Sequence, residues 1–257
     1  MPLEHLKNSF ITEPGNNVVL WRYMDFPQFV SMLDRSSLWL ARTDQFEDPW
    51  EGTYPPSVFD EHITQIMGQI TNVPQSVTTW RKMIHGDDVR QSMFMNCWHA
   101  AKCESAAMWK LYSQSKEAIA IKTSVARIRT ALTRSSQTIW IGNVHYTDFL
   151  KPSQKVASAV KTLNLMPPYF MKRDSFRHER EVRLLHWRVP NDESSIAEDA
   201  VGFYAAVHLS KLLESVWVAP QAAKWFWEIV GAVMRKYELQ EIPLKLSRLY
   251  IRPEYRT

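Results

Sequence analysis

Cysteine is almost missing from this chain: 257 residues hold two, Cys97 and Cys103. A disulfide framework is therefore excluded, and usage this low suits a reducing cytoplasm. No apolar run approaches the ~18 residues of a membrane-spanning helix. The first residues, MPLEHLKNSF, lack the charged-then-apolar pattern of a secretory signal. Both absences point to a soluble, cytoplasmic protein without a membrane partner. No Pro-, Gly- or Ser-rich block reads as a linker, and no internal repeat is visible. A single domain over 1–257 is the simplest organisation, with a core over 18–247 and an N-terminal extension over 1–17.

What is present is ordinary in bulk and unusual in detail. Hydrophobic residues make up 45% and charged residues 23%, enough for a sizeable core. The net charge of +4 and a pI near 9.0 permit an anionic partner without requiring one. The eleven tryptophans are costly to expose, so most of them belong in the core. A flat indole also suits stacking on a base or a sugar.

Strands are expected over 18–23, 37–42, 92–100, 117–123, 137–147, 201–209, 215–220 and 243–247. Helices are expected after Asp25, over 57–71, 74–85, 104–113, 124–133 and 153–165, and from Pro220 to Tyr237. The last has two apolar rows, Trp225, Ile229, Val233 and Phe226, Val230, Met234, with its proline at the start. PPYFMKRDSF reads as a loop leading into a short helix, and NDESSIAED as a mobile polar loop. Strands and helices intersperse without strict alternation. The fold class is therefore α+β, a mixed, mostly antiparallel sheet surrounded by helices.

Four stretches carry more polar and aromatic residues than packing needs. In LWRYMD, Arg22 sits between Trp21 and Tyr23 on a strand. It faces either solvent or a cleft where its planar fork could hold a phosphate or carboxylate. In DQFEDPWEG, Asp44, Glu47, Asp48 and Glu51 surround Phe46 and Trp50; an Asx-type turn with two aromatic plugs would also produce that pattern. In NCWHAAKCESAAMWKLYS, Cys97, His99 and Cys103 lack a fourth zinc ligand at a usual spacing, so no metal is expected. Trp98, Trp109 and Tyr112 are candidate pocket walls.

The fourth stretch is SFRHEREVRLLHW, preceded by Tyr169, Lys172 and Arg173. On a strand, Glu179, Glu181, Arg183, Leu185 and Trp187 share one face, and Val182 and Leu184 enter the core. Two carboxylates this close repel and push one pKa up, while Arg183 holds a neighbouring carboxylate ionised. Such a row can stabilise a cationic sugar transition state or bind a divalent metal. Glu181→Gln creates no cavity, so its stability cost is expected to stay within about 1 kcal/mol.

Taken together, LWRYMD, FEDPWEG, NCWH with ESAAMWKLYS, VHYTDF and F-x-x-E-x-E-x-R resemble a family of uncharacterised bacterial domains, over about 18–247. Phage defence is a plausible setting for some of its members. Glu47 stands where that family commonly has Asn, and Trp50 where it commonly has Phe. A weaker resemblance links the order of elements to the ADP-ribosyltransferase superfamily. It implies NAD as substrate, Arg22 in the role of the first-strand basic residue, and Trp98 and His99 near the middle-strand position. Glu181 takes the place of the late-strand glutamate, with Glu179 two residues before it. The Ser-Thr-Ser type motif of the middle strand is absent here. On this reading Glu181, Glu179 and Arg22 are catalytic, and Tyr23, Phe46, Asp48, Trp50, Trp98, His99, Trp109, Tyr112 and Arg183 surround the nucleotide. The product would be a toxin or phage-defence effector acting on a protein or nucleic-acid acceptor. Two other readings stand beside it: a nucleotide- or nucleic-acid-binding regulatory module, and a metal-dependent nuclease built on Asp48 and Glu181-x-Arg183.

Overall fold

The computed structural model describes residues 10–70, 74–112, 116–188, 196–197 and 199–250. Most of the NDESSIAED loop and the start of the N-terminal extension lie outside them. The chain begins with β1 (Val19–Asp25), α1 (Phe26–Arg35) and β2 (Ser37–Arg42). An irregular segment then leads to α2 (Pro56–Gln69), α3 (Val77–His85) and α4 (Asp87–Ser92). The middle of the chain holds β3 (Met93–Ala100), α5 (Ala106–Tyr112), β4 (Ala118–Ser124), α6 (Val125–Ala131), β5 (Trp140–Asn143), β6 (His145–Thr147) and α7 (Gln154–Val160). The last third holds β7 (Met171–Arg173), β8 (Glu181–Trp187), β9 (Gly202–Ala206), α8 (Leu209–Leu212), β10 (Ser215–Val218), α9 (Lys224–Lys236) and β11 (Leu244–Leu246). The class is α+β, as expected: among the described residues every ladder of the main sheet is antiparallel except β10 with β11.

The main sheet forks at β3. One edge of β3 pairs with β8 along its length, from Met93↔Trp187 to His99↔Glu181. The other edge is shared. β1 pairs at Leu20↔Ala100 and Trp21↔His99, and β2 pairs at Ala41↔Met95 and Arg42↔Phe94. Between those contacts β1 and β2 diverge, and among the described residues Asn96, Cys97 and Trp98 have no ladder partner on that side. Buried backbone groups must still be satisfied, and side chains take over. The Asn96 amide donates to the Trp39 carbonyl at 2.8 Å, and Arg22 Nη1 donates to the Cys97 carbonyl at 2.8 Å. The fork opens the sheet, and the candidate site lies there.

The two faces of the sheet carry separate cores. Leu20, Met24, Leu38, Leu40, Phe94, Trp98, Val182 and Leu184 belong to one, and Met93, Met95 and Leu185 to the other. Each such side chain contributes about 1.5–3 kcal/mol when fully buried. Period-two alternation thus places Val182 and Leu184 inward, as read from the sequence. Extended backbone at Asp25 begins α1, and Gln28 Oε1 accepts from the Asp25 N–H at 3.2 Å, one half of a capping box. Ser36 closes the helix in the left-handed region at φ 46°.

Several expectations need correction. The segment over 174–179 is a 3-10 helix and β8 starts only at Glu181, so Glu179 is not on the strand. Arg180, at φ 45°, turns the chain between them. The expected strand over 137–147 is two: β5 joins the main sheet, while β6 pairs in parallel with β7, a strand where a loop was expected. Helix α9 begins at Lys224, four residues after the proline. It buries the Phe226, Val230, Met234 row and leaves Trp225 and Ile229 exposed.

Candidate functional site

A cleft of about 500 Å³ opens at the fork. Its walls come from β1 (Arg22, Tyr23), β3 (Asn96, Cys97, His99), α5 (Met108, Tyr112), the segment after β2 (Phe46, Asp48, Glu51) and the approach to β8 (Lys172, Glu179, Glu181). Residues some 160 positions apart in sequence therefore share one concavity, the arrangement that binding sites show.

The acidic pair is the chemical centre. Glu181 is 6% exposed, and both of its oxygens are engaged: Oε1 accepts from Lys172 Nζ at 3.0 Å, and Oε2 from Arg183 Nε at 2.5 Å. Lys172 also donates to Glu179 and lies 4.0 Å from Glu51. Arg183 has no exposed surface, and its Nη1 donates to Glu51 and to the Tyr169 carbonyl. Three carboxylates and two cations thus form one buried network. Gly52 helps deliver Glu51: it adopts φ 75°, and a Cβ there would collide with the Tyr169 ring.

This network pushes the two neighbouring glutamates in opposite directions. Burial raises Glu179, the adjacent Glu181 raises it further, and its pKa reaches about 7. Burial also opposes charge on Glu181, but Arg183 and Lys172 outweigh it and hold that carboxyl ionised, well below the ordinary range. Where Glu179 is protonated, it can donate a hydrogen bond to the ionised Glu181 while keeping the proton. Two titrating groups driven apart in this way are the pattern from which acid, base and electrostatic roles are assigned.

Arg22 is the counterpart on the other wall. It is half-buried, and among the described residues no carboxylate forms an ion pair with it; its resolved bond is to the Cys97 carbonyl. Burial lowers its pKa, and Cys97 and Tyr112 offset that only in part. Cys97 on the floor is driven the opposite way from a reactive thiol: burial, then Glu181, pushes it up to about 12. His99 Nδ1 sits 2.6 Å from the Glu179 carbonyl, and burial lowers its pKa. The Tyr23 hydroxyl accepts from the Ser105 N–H at 2.8 Å.

Of the residues expected at the site, Arg22, Tyr23, Phe46, Asp48, Trp98, His99, Tyr112, Glu179 and Glu181 line the cleft. Trp98 does so with its side chain packed in the core of one sheet face. Asp48 is tied back by the Trp50 N–H and by Arg173, each at 3.0 Å. Trp50, Trp109 and Arg183 are not lining residues. Trp50 packs edge-on against Phe149, 5.8 Å between ring centroids, and Trp109 is buried edge-on to Tyr23 at 5.0 Å. Arg183 supports the site from behind. Glu51 and Lys172 stood in candidate stretches of the sequence without an assigned role, and Asn96 and Trp39 were not singled out. A buried Glu or Lys is seldom tolerated unless paired, but pairing across 132 residues, as between Glu51 and Arg183, leaves no local signal.

Among the described residues, no three His, Cys, Asp or Glu side chains are grouped as a metal site. No protein-family model matches the chain, and no curated protein matches it in sequence. Two solved structures of Thermus sp. 2.9 DarT are distantly similar. The complex with ADP-ribosylated ssDNA is 9% identical over 93% of this chain and 98% of that one, with a TM-score of 0.39. The complex with NAD+ is 9% identical over 92% and 98%, with a TM-score of 0.40. A likeness this distant carries no weight for activity, which has to come from the chemistry of the cleft.

Proposed function

We propose that this cleft breaks the glycosidic bond between nicotinamide and ribose in NAD and passes ADP-ribose to an acceptor. The observation that carries the reading is the divergent pair, an ionised Glu181 beside a Glu179 that titrates near neutrality, in one cleft with an Arg22 that pairs with no carboxylate among the described residues. Arg22 would hold the pyrophosphate. As the C1′–N bond breaks, its electron pair leaves with nicotinamide and positive charge develops on the ribose. The fixed carboxylate of Glu181 stabilises that charge without reorganising. The acceptor's oxygen or nitrogen then bonds to C1′, and its proton passes to Glu179. The acceptor would be a protein, a nucleic acid or water, and an enzyme of this kind would serve as a toxin or phage-defence effector.

A metal-dependent nuclease would need Asp48 and Glu181 to share a cation. Asp48 is instead paired with Arg173, and Glu181 with Arg183 and Lys172. Protein cations already stand where that metal would bind. A regulatory binder of anions would have no use for the acidic end of the cleft.

The pH profile tests the roles of the two glutamates. Glu179 acts as a base only when ionised, and its pKa lies at about 7. Transfer of ADP-ribose to the acceptor is therefore expected to fall about tenfold per unit as pH drops below that value, and to level off above it. Glu181 stays ionised across the same range and adds no second limb. A rate that is flat from pH 5 to pH 9 would remove Glu179 from the mechanism.

A further inference from the structure

A second cavity of about 370 Å³ adjoins the cleft and shares Arg22, Gln28 and Trp39 with it. It lies between α1 and the diverging strands, with Met24 and Met32 in its walls and Tyr204 at its rim. The two cavities differ in charge. The cleft is lined by Asp25, Glu47, Asp48, Glu51, Glu179 and Glu181, whereas among the described residues no acidic side chain lines the second cavity. Arg22 stands at the junction.

The rim is aromatic and open. Trp39 is 36% exposed and Tyr204 39% exposed, although both lie on strands whose neighbouring residues are buried. They are cross-strand partners on β2 and β9, with ring centroids 4.7 Å apart and planes inclined at 56°. The platform is held in place from several sides. The Tyr204 hydroxyl lies 3.4 Å from Ser31 Oγ, and the Arg35 guanidinium lies 4.5 Å over the Tyr204 ring. Gly202 leaves room for the indole: a Cβ there would occupy the space of the Trp39 ring. The Trp39 carbonyl is fixed by Asn96.

We infer that this cavity is a nucleobase subsite, in which Trp39 and Tyr204 stack the purine of an adenosine diphosphate moiety whose phosphates meet Arg22. The inference rests on the NAD reading for its place in the reaction and extends it by fixing the direction in which the dinucleotide lies. Charge complementarity sets that direction. The nicotinamide ring of NAD is cationic and suits the carboxylate-lined end, the pyrophosphate is anionic and suits the arginine, and the neutral purine suits the acid-free aromatic end. The spacing agrees. Along β3, Asn96 holds Trp39, Cys97 holds Arg22 and His99 faces Glu181. Three residues of strand span about 10 Å, the scale of a ribose and a pyrophosphate.

The test uses ADP and nicotinamide mononucleotide as separate probes, titrated calorimetrically into the wild type, Trp39→Ala, Trp39→Phe and Tyr204→Leu. Loss of one stacking surface is expected to weaken ADP about tenfold or more in Trp39→Ala. Trp39→Phe should retain most of the affinity, and nicotinamide mononucleotide should bind all four proteins alike. Tyr204→Leu keeps apolar bulk and removes a ring, so it reports on stacking even where Trp39→Ala folds poorly. The inference is overturned if the wild type does not bind ADP, if ADP binding ignores both positions, or if both probes weaken together. Trp39-dependent ADP binding in a protein that leaves NAD intact would uphold the subsite and refute the proposed reaction.

Discussion

Glu181→Gln is expected to lower NAD cleavage by about 10²–10³-fold or more, the range for removing one preorganised electrostatic contact to a transition state. The amide keeps the shape of the side chain but loses the charge that faces the ribose. Read from sequence alone, the change was expected to be nearly silent in stability. The buried network alters that expectation. Glu181 neutralises Arg183 and Lys172 at once, and removing one partner of a buried ion pair leaves a charge uncompensated. Glu51 and Glu179 remain as partners, so the cost should be about 2 kcal/mol, below the 3–5 kcal/mol typical of an isolated buried pair. Nicotinamide release has to be measured well below the melting temperature of the variant, with unfolding curves recorded alongside. Full activity in a folded Glu181→Gln protein would leave the row as an ion-pair ladder and nothing more.

The largest loss of stability is expected at Arg183. Arg183→Met preserves length and apolar stem but leaves Glu51 and Glu181 buried, with Lys172 as the nearest remaining cation. The cost should be about 3–5 kcal/mol, a large part of the stability of a typical domain. Urea unfolding should show a midpoint far below that of the wild type, or no folded baseline. Because both carboxylates then lose their fixed positive neighbour, activity should not survive in whatever fraction folds. A midpoint within the range of ordinary surface substitutions would mean that Arg183 does not hold the network together.

Some of this was readable in the sequence because it is local. Alternation over VRLLHW put Val182 and Leu184 into one core, and a lone arginine in VLWRYMD marked Arg22. The close spacing of Glu179 and Glu181 signalled opposed pKa shifts. What the spacing could not reveal is how the two meet. A 3-10 turn and Arg180 in the left-handed region bring them together, and these depend on the pairing of β7 with β6 rather than on any pattern within DSFRHER. The fork at β3 was equally invisible, since a strand that changes partners midway reads like any other apolar strand. Trp39 was passed over for a related reason. In SLWLAR it looks like an ordinary outward residue, and only the diverging strands and Gly202 on β9 turn it into the rim of a cavity.

The most direct test of the central claim is to incubate the wild-type protein with NAD and with protein and nucleic-acid acceptors in the presence of EDTA, and to quantify NAD, nicotinamide and ADP-ribose, free and attached to acceptor, by mass spectrometry. Buried protein cations hold the carboxylates in place, so chelation should change nothing. Nicotinamide should appear in step with NAD loss, and the sum of free and transferred ADP-ribose should equal it. NAD that stays intact under conditions where Glu181 is ionised and Glu179 is deprotonated would contradict the account.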